Sequence, residues 1–146
     1  MSSQDRPLDA SNVATRLWVG SEPPFDIDLP DFDMMVLCAQ EIQPPLVAFH
    51  GEIVRCPIPD SALDIRQITR AVLVAKAVGD ALLSGKRVLV TCAAGRNRSA
   101  LVAGLALARA SRMTADEIVQ RMRTRRDPKA LFNTHFQDIL RRLVKR

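Results

Sequence analysis

Apolar and polar residues follow two patterns along this chain. Up to residue 60 the apolar residues come in short runs cut by proline, glycine and aspartate; beyond it they recur mainly at helical spacing. Residues 16–20 (RLWVG) read as a short strand closed by Gly20, and 21–30, rich in proline and aspartate, as a loop. The compact apolar run 33–39 (DMMVLCA) reads as a buried strand. Pro44 and Pro45 break the chain, and 46–49 and 52–56 are further candidate strands. Cys56-Pro-Ile-Pro-Asp60 cannot lie inside a helix, because each proline lacks a donor and clashes with the preceding turn. It reads as an ordered loop or a strand exit.

From 64 to 83 the apolar positions Ile65, Ile68, Val72, Ala75, Val78 and Leu82 mark one helical face, ended at Ser84-Gly85. Residues 87–90 form another strand. Residues 99–110 are apolar almost all round, which predicts a buried helix. Thr114-Ala-Asp-Glu117 is a capping box. It opens a helix through Ile118, Val119 and Met122 that stops at Asp127-Pro128. Residues 131–144 read as a final amphipathic helix. The mixture predicts an α/β fold in a single domain over 1–146, with 1–14 as a polar N-terminal extension.

The stretch 88–99, VLVTCAAGRNRS, carries candidate chemistry. A strand delivers Cys92 to the C-terminal edge of a sheet, where open α/β folds bind ligands. The turn Ala93, Ala94, Gly95, Arg96, Asn97 then aims backbone N–H groups at one point, beside a helix N-terminus that favours an anion. Such a field also favours the thiolate, the nucleophilic form of a cysteine. Arg98 can grip two phosphate oxygens with its planar fork. The alternative is a buried structural cysteine beside a surface arginine; the joint spacing of Cys92, Gly95, Arg98 and Ser99 in a strand-turn-helix setting speaks against it.

Composition narrows the class. With 47% hydrophobic and 25% charged residues the chain is that of an ordinary globular protein. No apolar run approaches the ~20 residues of a transmembrane helix, and the polar N-terminus has no signal-peptide pattern. Three cysteines without regular spacing suggest neither a disulfide framework nor a zinc site. A cytoplasmic protein without metal or cofactor is expected. The net charge of +5 hides an asymmetry: residues 1–60 hold three basic and ten acidic side chains, residues 96–146 thirteen basic and four acidic. A basic C-terminal third suits an anionic substrate, and equally nucleic acid or acidic lipid, although most of these arginines need only solvate helix faces.

Cleaving a phosphate ester needs a proton for the leaving oxygen. His50 lies in a probable turn and His135 in the last helix, so Asp60, framed by Pro57 and Pro59, is the better acid. Its alternative role is a turn or N-cap residue before the 64–83 helix.

These residues resemble the cysteine-dependent dual-specificity phosphatases of the protein tyrosine phosphatase superfamily. The signature is Cys92-Ala-Ala-Gly95-Arg-Asn-Arg98-Ser99, with Asp60 thirty-two residues upstream. Leu17-Trp-Val-Gly20-Ser resembles the family's opening strand. Arg123-Thr-Arg125-Arg126, Asn133, Phe136 and Leu140 resemble its basic turn and closing helix. The resemblance implies a central, mostly parallel sheet of four to five strands flanked by helices. It also implies a phosphocysteine mechanism on protein phosphotyrosine, and phosphoserine or phosphothreonine, with Cys92 as nucleophile, Arg98 binding phosphate, Asp60 as acid and Ser99 steadying the departing thiolate. A phosphoinositide or other phospholipid, or an RNA 5′ end, is the alternative substrate, with a non-catalytic phosphate-binding module third. Three departures stand out. Thr91 replaces the usual His before the cysteine, leaving a hydroxyl to donate. The chain has no tyrosine and only 4% aromatics, which argues against a deep aromatic slot. The loop is unusually basic, and Arg96 and Arg126 together could form a second anion site. The resemblance further raises Cys38 or Cys56 as a redox partner of Cys92, although Cys38 also reads as core. A monomer is expected.

Overall fold

The computed structural model describes residues 8–145. Five strands form one sheet in the order β1 (Ala10–Ala14), β2 (Leu17–Gly20), β5 (Val88–Thr91), β3 (Met34–Ala39), β4 (Glu52–Ile58). The β1–β2 pair is antiparallel and the other three are parallel. β5 is therefore central, and Thr91 at its end pairs with Gly20 on one side and Leu37 on the other. Four helices complete the fold: α1 (Ile65–Leu83), α2 (Arg98–Ala110), α3 (Ala115–Arg125) and α4 (Thr134–Leu143).

The sheet's two faces are unlike. Alternate residues Met34, Val36, Val88 and Val90 join one large core with residues of all four helices. Met35, Leu37 and Leu89 point to the other face, where Phe32, Leu46 and Phe49 cover them and Trp18 packs alongside. The expected sheet is thus helix-covered on one face and loop-covered on the other. α2 is buried from Arg98 to Ala108, as its all-round apolar sequence requires.

The boundaries differ from expectation in four places. Part of the polar N-terminal extension is β1, paired to β2 through the Thr15-Arg16 turn; only Val13 of β1 is buried, so no apolar alternation announces it. Residues 1–7 lie outside the described residues. The candidate strand 46–49 is a tight turn, with Phe49 N–H on the Leu46 carbonyl at 3.3 Å. β4 instead continues through Pro57 to Ile58, which an edge strand permits because a missing N–H can face away from the ladder. The final helix starts at Thr134, after Leu131 at φ +57° and the N-cap Asn133. In α1 the buried face is Ala71, Ala75, Val78 and Leu82, while Ile65 is 74% exposed. The Thr114–Glu117 capping box forms, and a second, Asp64 with Gln67, opens α1.

Candidate active site

β5 runs directly into Cys92, whose N–H donates to the Gly20 carbonyl of β2 at 3.2 Å. The sheet thereby sets the thiol at its C-terminal edge. The chain then turns through residues 93–97 into α2. Gly95, at φ +69°, turns its N–H onto Cys92 Sγ at 3.2 Å, and Ser99 Oγ lies 3.2 Å from the same sulfur. Asn97 is the N-cap of α2 but makes no side-chain cap bond. Its Nδ2 donates to Asp60 Oδ2 at 3.1 Å and its Oδ1 accepts the Asn133 N–H at 3.2 Å. The leading N–H groups of α2 are left without a side-chain acceptor, at the helix end where an anion is favoured.

Arg98 opens α2, yet its side chain is only 6% exposed. Nη1 and Nη2 grip the two carboxylate oxygens of Glu41, the latter at 2.8 Å, and Nη1 also donates to the Ile58 carbonyl at 3.2 Å. The Arg98 hydrogen bonds hold the Glu41 carboxyl down to about 2, and Glu41 in turn raises the guanidinium pKa. Arg98 Nε is buried and has no hydrogen-bond partner. Glu41 thus holds the Nη1–Nη2 edge, and Nε with the second N–H of Nη2 is left to a further acceptor. A buried unpartnered N–H in a native fold calls for an explanation such as a ligand.

Asp60 sits between the loop and the last helix. Oδ2 takes Asn97 and Oδ1 takes Asn133 Nδ2 at 2.9 Å. Its charge is close enough to act on Arg98. The chain therefore brings Cys92, Arg98, Ser99 and Asp60 into one place. Asp60 is not the N-cap of α1; Asp64 is.

Two further side chains named from the sequence have partners elsewhere in the fold. The Thr91 hydroxyl donates to the Val36 carbonyl at 3.0 Å, inside the sheet, and so does not serve the sulfur. The guanidinium of Arg126 is engaged within the chain. Asp9 clamps it through two bonds of 2.8 Å, and it donates further to the Ala94 and Gly95 carbonyls. Arg96 is half exposed and held to Asp127 at 3.0 Å.

The remaining candidates fall outside the cluster. His50 pairs with Asp28, and His135 is exposed on α4. All three cysteines are free and buried. Cys38 hydrogen-bonds to Cys56, and burial pushes its thiol up.

Sequence reasoning missed Glu41 and Asp9. Each is a carboxylate near a strand end, and the signal for Glu41 was its place two residues beyond β3, on the same sheet edge as Cys92.

The family model of the dual specificity phosphatase catalytic domain matches residues 28–146. No curated protein matches the chain. Among solved structures, a mouse putative dual specificity phosphatase complexed with zinc tungstate is 25% identical, with a TM-score of 0.80, over 94% of this chain and 87% of that one. Human DUSP28 is 21% identical, with a TM-score of 0.77, over 94% of each chain. The human tyrosine phosphatase-like serine/threonine/tyrosine-interacting protein is 19% identical, with a TM-score of 0.74, over 92% and 95%.

Proposed function

The chain belongs to the dual specificity phosphatase family, a class of hydrolases acting on protein phosphate monoesters, and from that premise we propose which of its residues perform the reaction. The observation that carries the reading is the buried, partnerless Nε edge of Arg98 beside a thiol that already receives the Gly95 N–H. A phosphoryl group placed there meets a bidentate donor, loop N–H groups and a helix N-terminus, all before any rearrangement. Preorganised donors of this kind stabilise the charge on the equatorial oxygens during phosphoryl transfer.

The Cys92 thiolate attacks phosphorus in line. An S–P bond forms as the bond to the leaving oxygen breaks, and Asp60 gives that oxygen its proton. Asp60, now a carboxylate, takes a proton from water, which attacks the phosphocysteine. The P–S bond breaks and inorganic phosphate leaves. Ser99 Oγ, within reach of the sulfur, donates to the returning thiolate. Asn97 and Asn133 hold Asp60 over the loop, and Glu41 keeps the Arg98 fork facing the cradle. The positive field comes from the chain's own groups, so no cofactor is invoked.

Phosphotyrosine, and phosphothreonine or phosphoserine, on a protein is the substrate class this reading favours. With Arg126 occupied by Asp9, the main reason to expect polyanionic lipid or RNA 5′ ends falls away. The three unpaired thiols suit a reducing, cytoplasmic compartment, and no described helix is long and apolar enough to cross a membrane. The domain is taken to act as a monomer.

A side-by-side rate comparison tests the reading: phosphotyrosine peptide, phosphothreonine peptide, phosphoinositide and RNA 5′-triphosphate, with Cys92→Ser as control. Peptide hydrolysis that vanishes in Cys92→Ser is expected. Faster turnover of lipid or RNA contradicts the substrate class, and activity retained in Cys92→Ser contradicts the nucleophile.

A further inference from the structure

We propose that Arg126, held by Asp9, is a positioning residue for the active-site loop: it fixes the peptide whose N–H reaches the Cys92 sulfur. The proposal rests on the reading of Cys92 as nucleophile.

Arg126 follows α3 directly, and its side chain is 6% exposed. Nε donates to the Gly95 carbonyl and Nη2 to the Ala94 carbonyl, each at 3.1 Å. Asp9 takes the terminal nitrogens in two bonds of 2.8 Å, and Ser11 Oγ accepts a further one at 3.3 Å. So many directed contacts leave the guanidinium one orientation.

A trans peptide is planar, and its C=O and N–H point in opposite directions. Drawing the Ala94 carbonyl toward Arg126 therefore turns the N–H of the same peptide, that of Gly95, the other way. That N–H is the one that meets Cys92 Sγ at 3.2 Å. Drawing the Gly95 carbonyl does the same to the N–H of Arg96. A cation on a carbonyl also polarises the peptide and strengthens its donor.

Gly95 makes the approach possible. Its φ is +69°, and a Cβ there would stand 2.6 Å from Arg126 Nη2 and 2.6 Å from the Gly20 carbonyl carbon. Without Arg126, two loop carbonyls lose a charged partner and the 94–95 peptide is free to swing its oxygen toward the sulfur. A carbonyl there repels a thiolate.

Asp9 supplies the opposing clamp. The Arg126 hydrogen bonds hold its carboxyl below the usual carboxylate range, so it is ionised at neutral pH. Its own carbonyl accepts the Ser21 N–H at 3.0 Å, which ties it to the end of β2. The segment leading into β1 is thereby part of the loop's scaffold, although it lies more than eighty residues from Cys92 in sequence.

The test compares Arg126→Ala, Arg126→Lys and Asp9→Asn with Arg121→Ala. Arg121 also ties α3 to β1, through the Val13 carbonyl at 3.0 Å, but touches no loop residue described above. Two quantities are read. One is kcat and KM on a simple aryl phosphate. The other is the rate of Cys92 alkylation by iodoacetamide at pH 6 relative to pH 9, located by mass spectrometry. Losing a donor to an ionised group moves such an equilibrium by about tenfold. Arg126→Ala is therefore expected to lower the alkylation ratio by up to about tenfold, and kcat with it. Arg126→Lys recovers part of both, Asp9→Asn shows a smaller loss, and Arg121→Ala keeps the wild-type ratio whatever its melting temperature. A wild-type ratio in folded Arg126→Ala overturns the proposal. If that variant does not fold, a wild-type ratio in Arg126→Lys overturns it instead. Alkylation needs no turnover, so this outcome is distinct from activity retained in Cys92→Ser, which would overturn the nucleophile assignment.

Discussion

Cys92, Gly95, Arg98 and Ser99 stand within eight residues of one another, and their chemistry was readable for that reason. A turn between a strand and a helix forces neighbours in sequence to converge in space. Their partners were not readable. Glu41 lies 57 residues from Arg98 and Asp9 lies 117 from Arg126, and nothing local to either carboxylate announces its target. The acceptor of the Thr91 hydroxyl was open in the sequence; a residue inside a central strand finds a carbonyl of its neighbour first. Asp60 drew attention through its proline frame, whereas its two asparagine tethers needed the tertiary structure. If Asp60 is the acid, Asp60→Asn lowers kcat by about 10²–10⁴-fold on substrates with poor leaving groups. It lowers kcat much less on an activated aryl phosphate, whose leaving oxygen needs little protonation. Steady-state rates on both substrates check this, and equal losses would assign Asp60 a structural role.

At the level of elements, periodicity located β5, α2 and α3 closely, because each is either fully buried or bounded by a capping box. It failed at the sheet's edge and at exposed ends. β1 buries one side chain of five and leaves almost no hydrophobic signal. The start of α4 was placed too early because Leu131 is buried yet adopts a left-handed backbone that no helix contains. The Glu41–Arg98 pair joins two elements, the turn after β3 and the first residue of α2, and so links loop geometry to pH. Glu41's carboxyl falls from 4.5 in the open chain to about 2 in the fold, through the Arg98 hydrogen bonds. A depressed carboxylate stabilises the fold fully above its open-chain value, and that contribution fades as pH drops through the folded value. The stability difference between wild type and Glu41→Gln is therefore expected to be flat near neutrality and to shrink between about pH 4.5 and 2. Urea unfolding across that range reads it. The effect is modest, since Glu41 is about half exposed and solvent screens the pair. A difference that stays constant with pH would show that the pairing is not ionic.

For the molecule as a whole, the charge asymmetry takes on a new meaning. The acidic first portion and the basic last third suggested an anionic partner. Two of the described ion pairs join these regions within the chain. Asp9 meets Arg126 and Glu41 meets Arg98, whereas Arg109 and Arg96 take acids from outside the first portion, Asp80 and Asp127. Two of these pairs flank the thiol and shape the loop that holds it. The α/β class was legible from the mixture of elements, and the mostly parallel sheet from the family resemblance. The placement of all four helices on one face was not, because hydrophobic pattern fixes which face of an element is buried but not which side of a sheet the element covers.

The central claim is that phosphate passes through the sulfur of Cys92. The most direct measurement is mass spectrometry of the acid-quenched enzyme during turnover of an activated aryl phosphate, in wild type and in Asp60→Asn, where forming the intermediate needs little acid but water activation is slowed. A phosphate group on the peptide containing Cys92, more abundant in Asp60→Asn and absent from Cys92→Ser, is the predicted result. Continued hydrolysis with no phosphate on Cys92, or with phosphate on another residue, would contradict the account.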